Sequence, residues 1–211
     1  MKKLILTFFM VLASFACFAD NYINFTIPLR WGFYFQDKKS SEYYDYNEFI
    51  WSYGATAEYF HTFSGAFGIG LKGSVNKCKV SVDFDTDGGY YNGNSIGWNV
   101  APTFGWAFSG EGTKKKINLY PIVFERFSFT DLDGSSSLQI PEDNKLVLTN
   151  YKFGATFSWQ WGNEGVQNGL EFGFSFPWDG MLEYDGKTIA KSGYGFDFHL
   201  AYKISLYMPK L

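Results

Sequence analysis

The chain has 211 residues, of which 22% are aromatic and 18% charged, with a formal net charge of −3. Many aromatics and few charges exclude a disordered chain, and no basic stripe points to nucleic acid as a partner. The length fits a single domain.

Lys2 and Lys3 precede an apolar run over residues 4–19, which ends in Cys17-Phe18-Ala19 with small residues at −3 and −1. This pattern predicts a secretory signal peptide over residues 1–19, cleaved after Ala19, ahead of a domain spanning residues 20–211. The run is too short for a helix that crosses a bilayer, which needs about 20 residues. Ser14-Phe15-Ala16-Cys17 lacks the aliphatic residue of a lipobox, so cleavage is favoured over lipidation of Cys17. Cys78 is then left alone in the mature chain, without a disulfide partner.

From Asn21 onward the sequence alternates with period two, the mark of a strand with two unlike faces. The first strand carries Ile23, Phe25, Ile27, Leu29, Trp31, Phe33 and Phe35 on one face. The second carries Phe49, Trp51, Tyr53, Tyr59 and Phe63, and the third Phe67, Ile69, Leu71 and Val75. The fourth carries Ile96, Trp98, Val100, Phe104, Trp106 and Phe108. A fifth, over 117–129, is apolar on both faces and sets Glu125 on the apolar one. The sixth presents Tyr151, Phe153, Phe157, Trp159 and Trp161; the seventh Leu170, Phe172, Phe174, Phe176 and Trp178. The eighth runs from Tyr194 to Met208. Connections at Ser64-Gly65, 109–115 and 162–165 are short, whereas 37–47, 77–94, 130–145 and 179–191 are long. Alternating short and long connections describe a meander with its short turns at one end. Pro102 and Pro121 fall inside strands and predict bulges, because each removes a ladder donor.

A soluble ligand-binding barrel shares this alternation, but its outer face must be solvated. Here the less apolar face is mostly Gly, Ala, Ser and Thr, which suits a crowded lumen. The opposite face is bulky and aromatic, and the strands are about twice the ~5–6 residues of globular sheets. The fold predicted is therefore all-β: a closed antiparallel up-and-down transmembrane β-barrel of eight strands. Trp31, Trp51, Tyr53, Tyr59, Trp98, Trp106, Trp159, Trp161, Trp178 and Tyr202 supply its interfacial girdles.

In this architecture the chain resembles the small eight-stranded outer-membrane proteins, the OmpX, OmpA-transmembrane and OmpW-like set. The resemblance covers residues 21–211. It departs at the C-terminus, where Pro209-Lys210-Leu211 replaces the terminal aromatic of such chains. It implies bacterial outer-membrane localisation, with lipid, lipopolysaccharide or its equivalent, and the outer-membrane assembly machinery as partners.

Two groups of residues stand out as sites. Asp83, Asp85 and Asp87 precede Gly88, like the first half of a calcium loop, but Asn94 occupies the position of the bidentate Glu. They are the only pointer to a cofactor, Ca2+, and a solvated loop is the plainer reading of them. The second group is a polar lumen cluster of Arg30, Glu58, Lys72, Lys152, Glu171, Asp197, His199 and Lys203, all on the inward face. Charges away from bulk water must pair, so the cluster predicts a salt-bridged plug. Glu58 and Lys72 lie at matched distances from Ser64-Gly65 and are expected to face each other. His61 and His199 have no readable nucleophile–base arrangement around them. The function expected is a structural or surface-interaction role, with four long acidic extracellular loops that bind an extracellular ligand. The alternatives are a narrow channel for small or hydrophobic solutes and, behind it, a lipid A-modifying enzyme.

Overall fold

A computed structural model describes residues 21–36, 46–63, 67–84, 89–110, 113–135, 146–162 and 165–208. They form eight strands: β1 (Asn21–Gln36), β2 (Tyr46–Thr62), β3 (Phe67–Phe84), β4 (Gly89–Gly110), β5 (Thr113–Ser135), β6 (Leu146–Gly162), β7 (Val166–Tyr184) and β8 (Lys187–Met208). Each pairs antiparallel with the next, and β8 returns to β1 from Asn21↔Met208 to Gln36↔Ser192, which closes the barrel. Closure leaves the sheet no unpaired edge, the condition for a sheet that faces lipid.

The two faces separate as the alternation requires. Ile27, Leu71, Phe153 and Trp159 point outward and are exposed, whereas Asn24, Glu58, Lys152, Glu171 and Lys203 point inward and are buried. No helix of the described residues is long and apolar enough to cross a membrane. The outward aromatics join into belts. Trp98, Phe124, Tyr151 and Trp178 form consecutive ring contacts across β4 to β7, with centroids 5.2, 5.4 and 5.7 Å apart. Trp31 stacks on Phe198 at 5.0 Å across β1 and β8. Near the short turns, Phe67 meets Trp106, and Trp159 meets Trp161.

The small inward residues make room for large ones. A Cβ on Gly97 would lie 2.3 Å from the ring of Phe127, which is wholly buried in the lumen. A Cβ on Gly68 would lie 2.6 Å from the ring of Phe60. These two lumen rings thus lie over the bare backbone of a neighbouring strand.

One bulge answers Pro102 and Pro121, two of the four prolines that fall inside strands. Between the pairs Val100↔Phe124 and Phe104↔Leu119, β5 spends one residue more than β4. Between Tyr120↔Gly154 and Val123↔Lys152 it also spends one more than β6. The extra residue therefore sits in β5 at Pro121-Ile122, where both side chains are exposed. β4 stays in register with β3 through Leu71↔Pro102, so the bulge expected in β4 is absent, and Pro102 faces the gap that β5 opens. One inserted residue reverses every later side chain. That reversal turns Glu125 inward, against the sequence expectation.

At the loop end the strands outlast the membrane pattern. Segments read as loops are largely strand: β3 and β4 run to Phe84↔Gly89, and β7 and β8 to Tyr184↔Lys187. Asp185 and Gly186, with φ of 47° and 76°, close the latter hairpin. Asp-Gly is the usual sequence of a two-residue turn with positive φ at both positions. In these extensions the polarity inverts. Ile50, Val80, Phe127, Phe129, Leu146, Leu148 and Leu182 cluster inside, while Lys77, Lys79, Asp83, Asn92, Ser128 and Lys187 are exposed outside. The upper barrel is built like a soluble β-barrel with its own core. The lumen is therefore mostly apolar at the loop end, where Glu48 is a buried exception, and not polar along its whole length as the sequence implied.

Candidate functional site: the charged lumen

Below the apolar layer the lumen holds two tiers of charge. The upper tier joins β1, β5, β6 and β8. Arg30 grips both oxygens of Glu125, with Nη1 on Oε1 and Nη2 on Oε2 at 3.0 Å, and Nη2 also reaches Asp197 Oδ2 at 3.2 Å. Lys152 Nζ donates to Glu125 Oε2, to Asp197 Oδ2 at 3.0 Å and to the Tyr34 hydroxyl at 2.7 Å. The Tyr34 hydroxyl donates to Asp197 Oδ2 at 2.9 Å, and Ser175 Oγ donates to Asp197 Oδ1 at 2.6 Å. Two cations thus face two carboxylates, with every carboxylate oxygen accepting.

The lower tier lies nearer the short turns. Glu58 accepts from Asn24 at 2.7 Å, Asn118 at 2.9 Å and Lys116 at 3.1 Å. Glu171 accepts from Lys203 at 2.8 Å and Lys72 at 3.3 Å, and His199 Nε2 lies 3.3 Å from its Oε1. Lys203 also stands 3.8 Å from Glu58, linking the two acids. Beneath this tier Phe60 is buried under the Lys116 ammonium, 3.4 Å from its ring centroid, and Lys114 lies 3.6 Å from the Tyr207 ring. These cation–π contacts fill the lower mouth.

All eight lumen residues singled out from the sequence line the barrel interior. Glu58 and Lys72 are register partners as expected, yet Glu58 bonds to Lys116 and Lys72 to Glu171, because inward side chains reach across the lumen. The sequence reading missed Lys116, Glu125 and Tyr34. Lys116 follows the inward parity of Asn118 and was legible from it. Glu125 was hidden by the bulge, and Tyr34 by its aromatic type. His61 contacts Asn21 Oδ1 at 2.9 Å at the short-turn rim, on the outward face. Of the calcium triplet, Asp83 is exposed at the end of β3, while Asp85 and Asp87 lie outside the described residues. Cys78 is buried in the apolar layer and, among the described residues, has no disulfide.

The buried order of these charges has a chemical meaning. Each carboxylate is held by two or more donors, so the tiers are cross-braces between strands and not free groups poised to react. Ser175 donates to Asp197 while His199 turns to Glu171, so serine and histidine are committed to different acids.

No protein-family model matches the chain, and no curated protein matches it. Solved structures do. The Neisserial surface protein A structure aligns with 90% of this chain and 97% of that one, at 11% identity and a TM-score of 0.49. Ail, the attachment invasion locus protein of Yersinia pestis, aligns over 90% and 99%, at 9% identity and a TM-score of 0.42. The outer membrane protease OmpT of Escherichia coli aligns over 90% and 96%, at 5% identity and a TM-score of 0.38. The likeness is one of fold. The strand pairing and the outward apolar belt carry the conclusion independently: the molecule is a small β-barrel of the outer-membrane type.

Proposed function

We propose that the protein is a non-conducting outer-membrane scaffold that presents its loop-end extension as a surface for interaction. The observation that carries this reading is the lumen. An apolar layer at the loop end and two tiers of paired charge below it stand in series along one narrow bore. Eight strands give an interior just wide enough for side chains to fill, and these layers obstruct it at successive levels. The extension supports the interaction role. Its wall carries Lys77 and Lys79 level with Tyr53 and Trp51 of the aromatic belt, and Lys187 and Lys191 beyond them, all on its outer face. An open groove of ≈ 710 Å³ runs there between Trp51, Lys79 and Asn94. Cations level with and beyond an aromatic belt suit the phosphorylated headgroups of an outer leaflet, such as lipopolysaccharide.

The test is single-channel recording of the purified barrel in planar bilayers. The expected trace has no stable open level above the baseline of the protein-free bilayer. A reproducible open level would reject the scaffold reading in favour of a narrow channel.

A further inference from the structure

The two charge tiers do not meet directly. Between them lie two lumen cavities of ≈ 70 and ≈ 50 Å³, which share Arg30, Lys72, Asn99 and His199 in their walls. Volume on this scale holds more than one water-sized particle. Acids share these walls, Glu125 and Asp197 in the larger cavity and Glu171 in the smaller, but their oxygens already accept from the tiers, whereas donors remain under-used. Arg30 commits its two terminal nitrogens to acids, but its Nε is buried and donates to no protein acceptor. Lys72 makes only long contacts, to Glu171 at 3.3 Å and to the Tyr120 hydroxyl at 3.5 Å. Asn99 is half-buried on the inward face of β4, with an amide that can donate.

Charge counting points the same way. In the upper tier Arg30 and Lys152 balance Glu125 and Asp197. In the lower tier Lys72, Lys116 and Lys203 face only Glu58 and Glu171. Among the described residues Glu48 is the other buried acid and evens the lumen at five cations and five acids, but it lies on the loop side of the upper tier, and its oxygens accept no hydrogen bond. The surplus positive charge therefore belongs to the lower tier, of which Lys72 reaches the chamber. An uncompensated charge in a low-dielectric site is costly, and a counter-ion removes the cost.

We propose that this mid-lumen chamber is a binding site for one small monovalent anion of the halide class, held by Arg30 Nε, Lys72 Nζ and Asn99 Nδ2. The ion ties the upper tier to the lower and makes barrel stability depend on anion identity. Larger anions are excluded by the size of the chamber.

Bromide substitution tests this directly. Crystals of the full barrel grown in sodium bromide should show an anomalous peak between Arg30, Lys72 and Asn99. Asn99 lies outside both ion networks, so Asn99→Asp should fold normally, place a carboxylate in the chamber and abolish the peak. In detergent, the wild-type melting temperature should be higher in chloride than in gluconate at equal ionic strength, since a ligand bound only by the folded state stabilises it. Asn99→Asp should erase that difference. Bromide peaks confined to surface lysines, with water-like density and no anomalous signal in the chamber, would overturn the proposal. So would a chloride effect of equal size in Asn99→Asp.

Discussion

Glu125 is the side chain on which the upper tier turns, because it accepts from both Arg30 and Lys152. Removing it leaves two cations facing Asp197 alone. Breaking a buried pair at one partner typically costs ~3–5 kcal/mol. Glu125→Leu should therefore lower folding stability by about that much in urea-dependent refolding into lipid vesicles. Glu125→Leu with Lys152→Met keeps the tier neutral, since Arg30 still meets Asp197, and should recover much of the loss. A double variant no more stable than the single one would mean that the tier is not organised around charge balance. Gly97 shows the steric side at the same scale. Gly97→Ala drives a Cβ into the Phe127 ring, and overpacking of this kind costs about 1–3 kcal/mol. Combining it with Phe127→Leu should restore stability if the ring is what the glycine admits.

The elements show what alternation reveals and what it conceals. Strands β1, β2, β3, β6 and β8 follow one parity over their membrane crossing, so their inward residues could be named from sequence alone: Arg30, Glu58, Lys72, Lys152, Asp197 and Lys203. Parity is a local rule that fails after an inserted residue. In β5 it failed at Pro121-Ile122, and Glu125 and Phe127 were placed on the wrong face. Pro121 announced a bulge but not on which side of it the faces reverse. The loop-end extensions escaped notice for another reason. There the faces exchange polarity, so a strand such as Lys77-Cys78-Lys79-Val80 looks like solvated loop. Asp185-Gly186, between alternating residues, was the legible signal for that hairpin. The bulge itself is testable. Inserting one alanine after Ile122 shifts β5 by one more residue, which under simple alternation beyond the bulge would send Glu125 to lipid and Phe124 to the lumen. The expected outcome is failure to fold into lipid vesicles, read as loss of the heat-dependent gel shift of folded barrels. Normal folding of that variant would show that β5 finds its register from the residues beyond the bulge.

At the scale of the whole molecule, the apolar layer and the charge tiers are barriers of different kinds placed in series. The apolar layer resists water because Phe127, Leu148 and Leu182 pack across it, with Glu48 a buried polar exception on the same side. The tiers admit polar contact but lock their groups into pairs. In a series arrangement, opening one barrier does not open the path. Phe127→Ser with Leu148→Ser wets the loop end yet leaves Arg30, Glu125, Lys152 and Asp197 clasped, so planar-bilayer current should stay at baseline. Glu125→Leu with Lys152→Met loosens the upper tier yet leaves the apolar layer dry, with the same expected result. Only the fourfold variant, if it folds with an unchanged strand signature in circular dichroism, should pass measurable current. That current should remain small, because Lys203, Glu171 and Glu58 still narrow the lower bore. Stable current from either double variant alone would show that a single layer seals the barrel and that the other serves only to brace its wall.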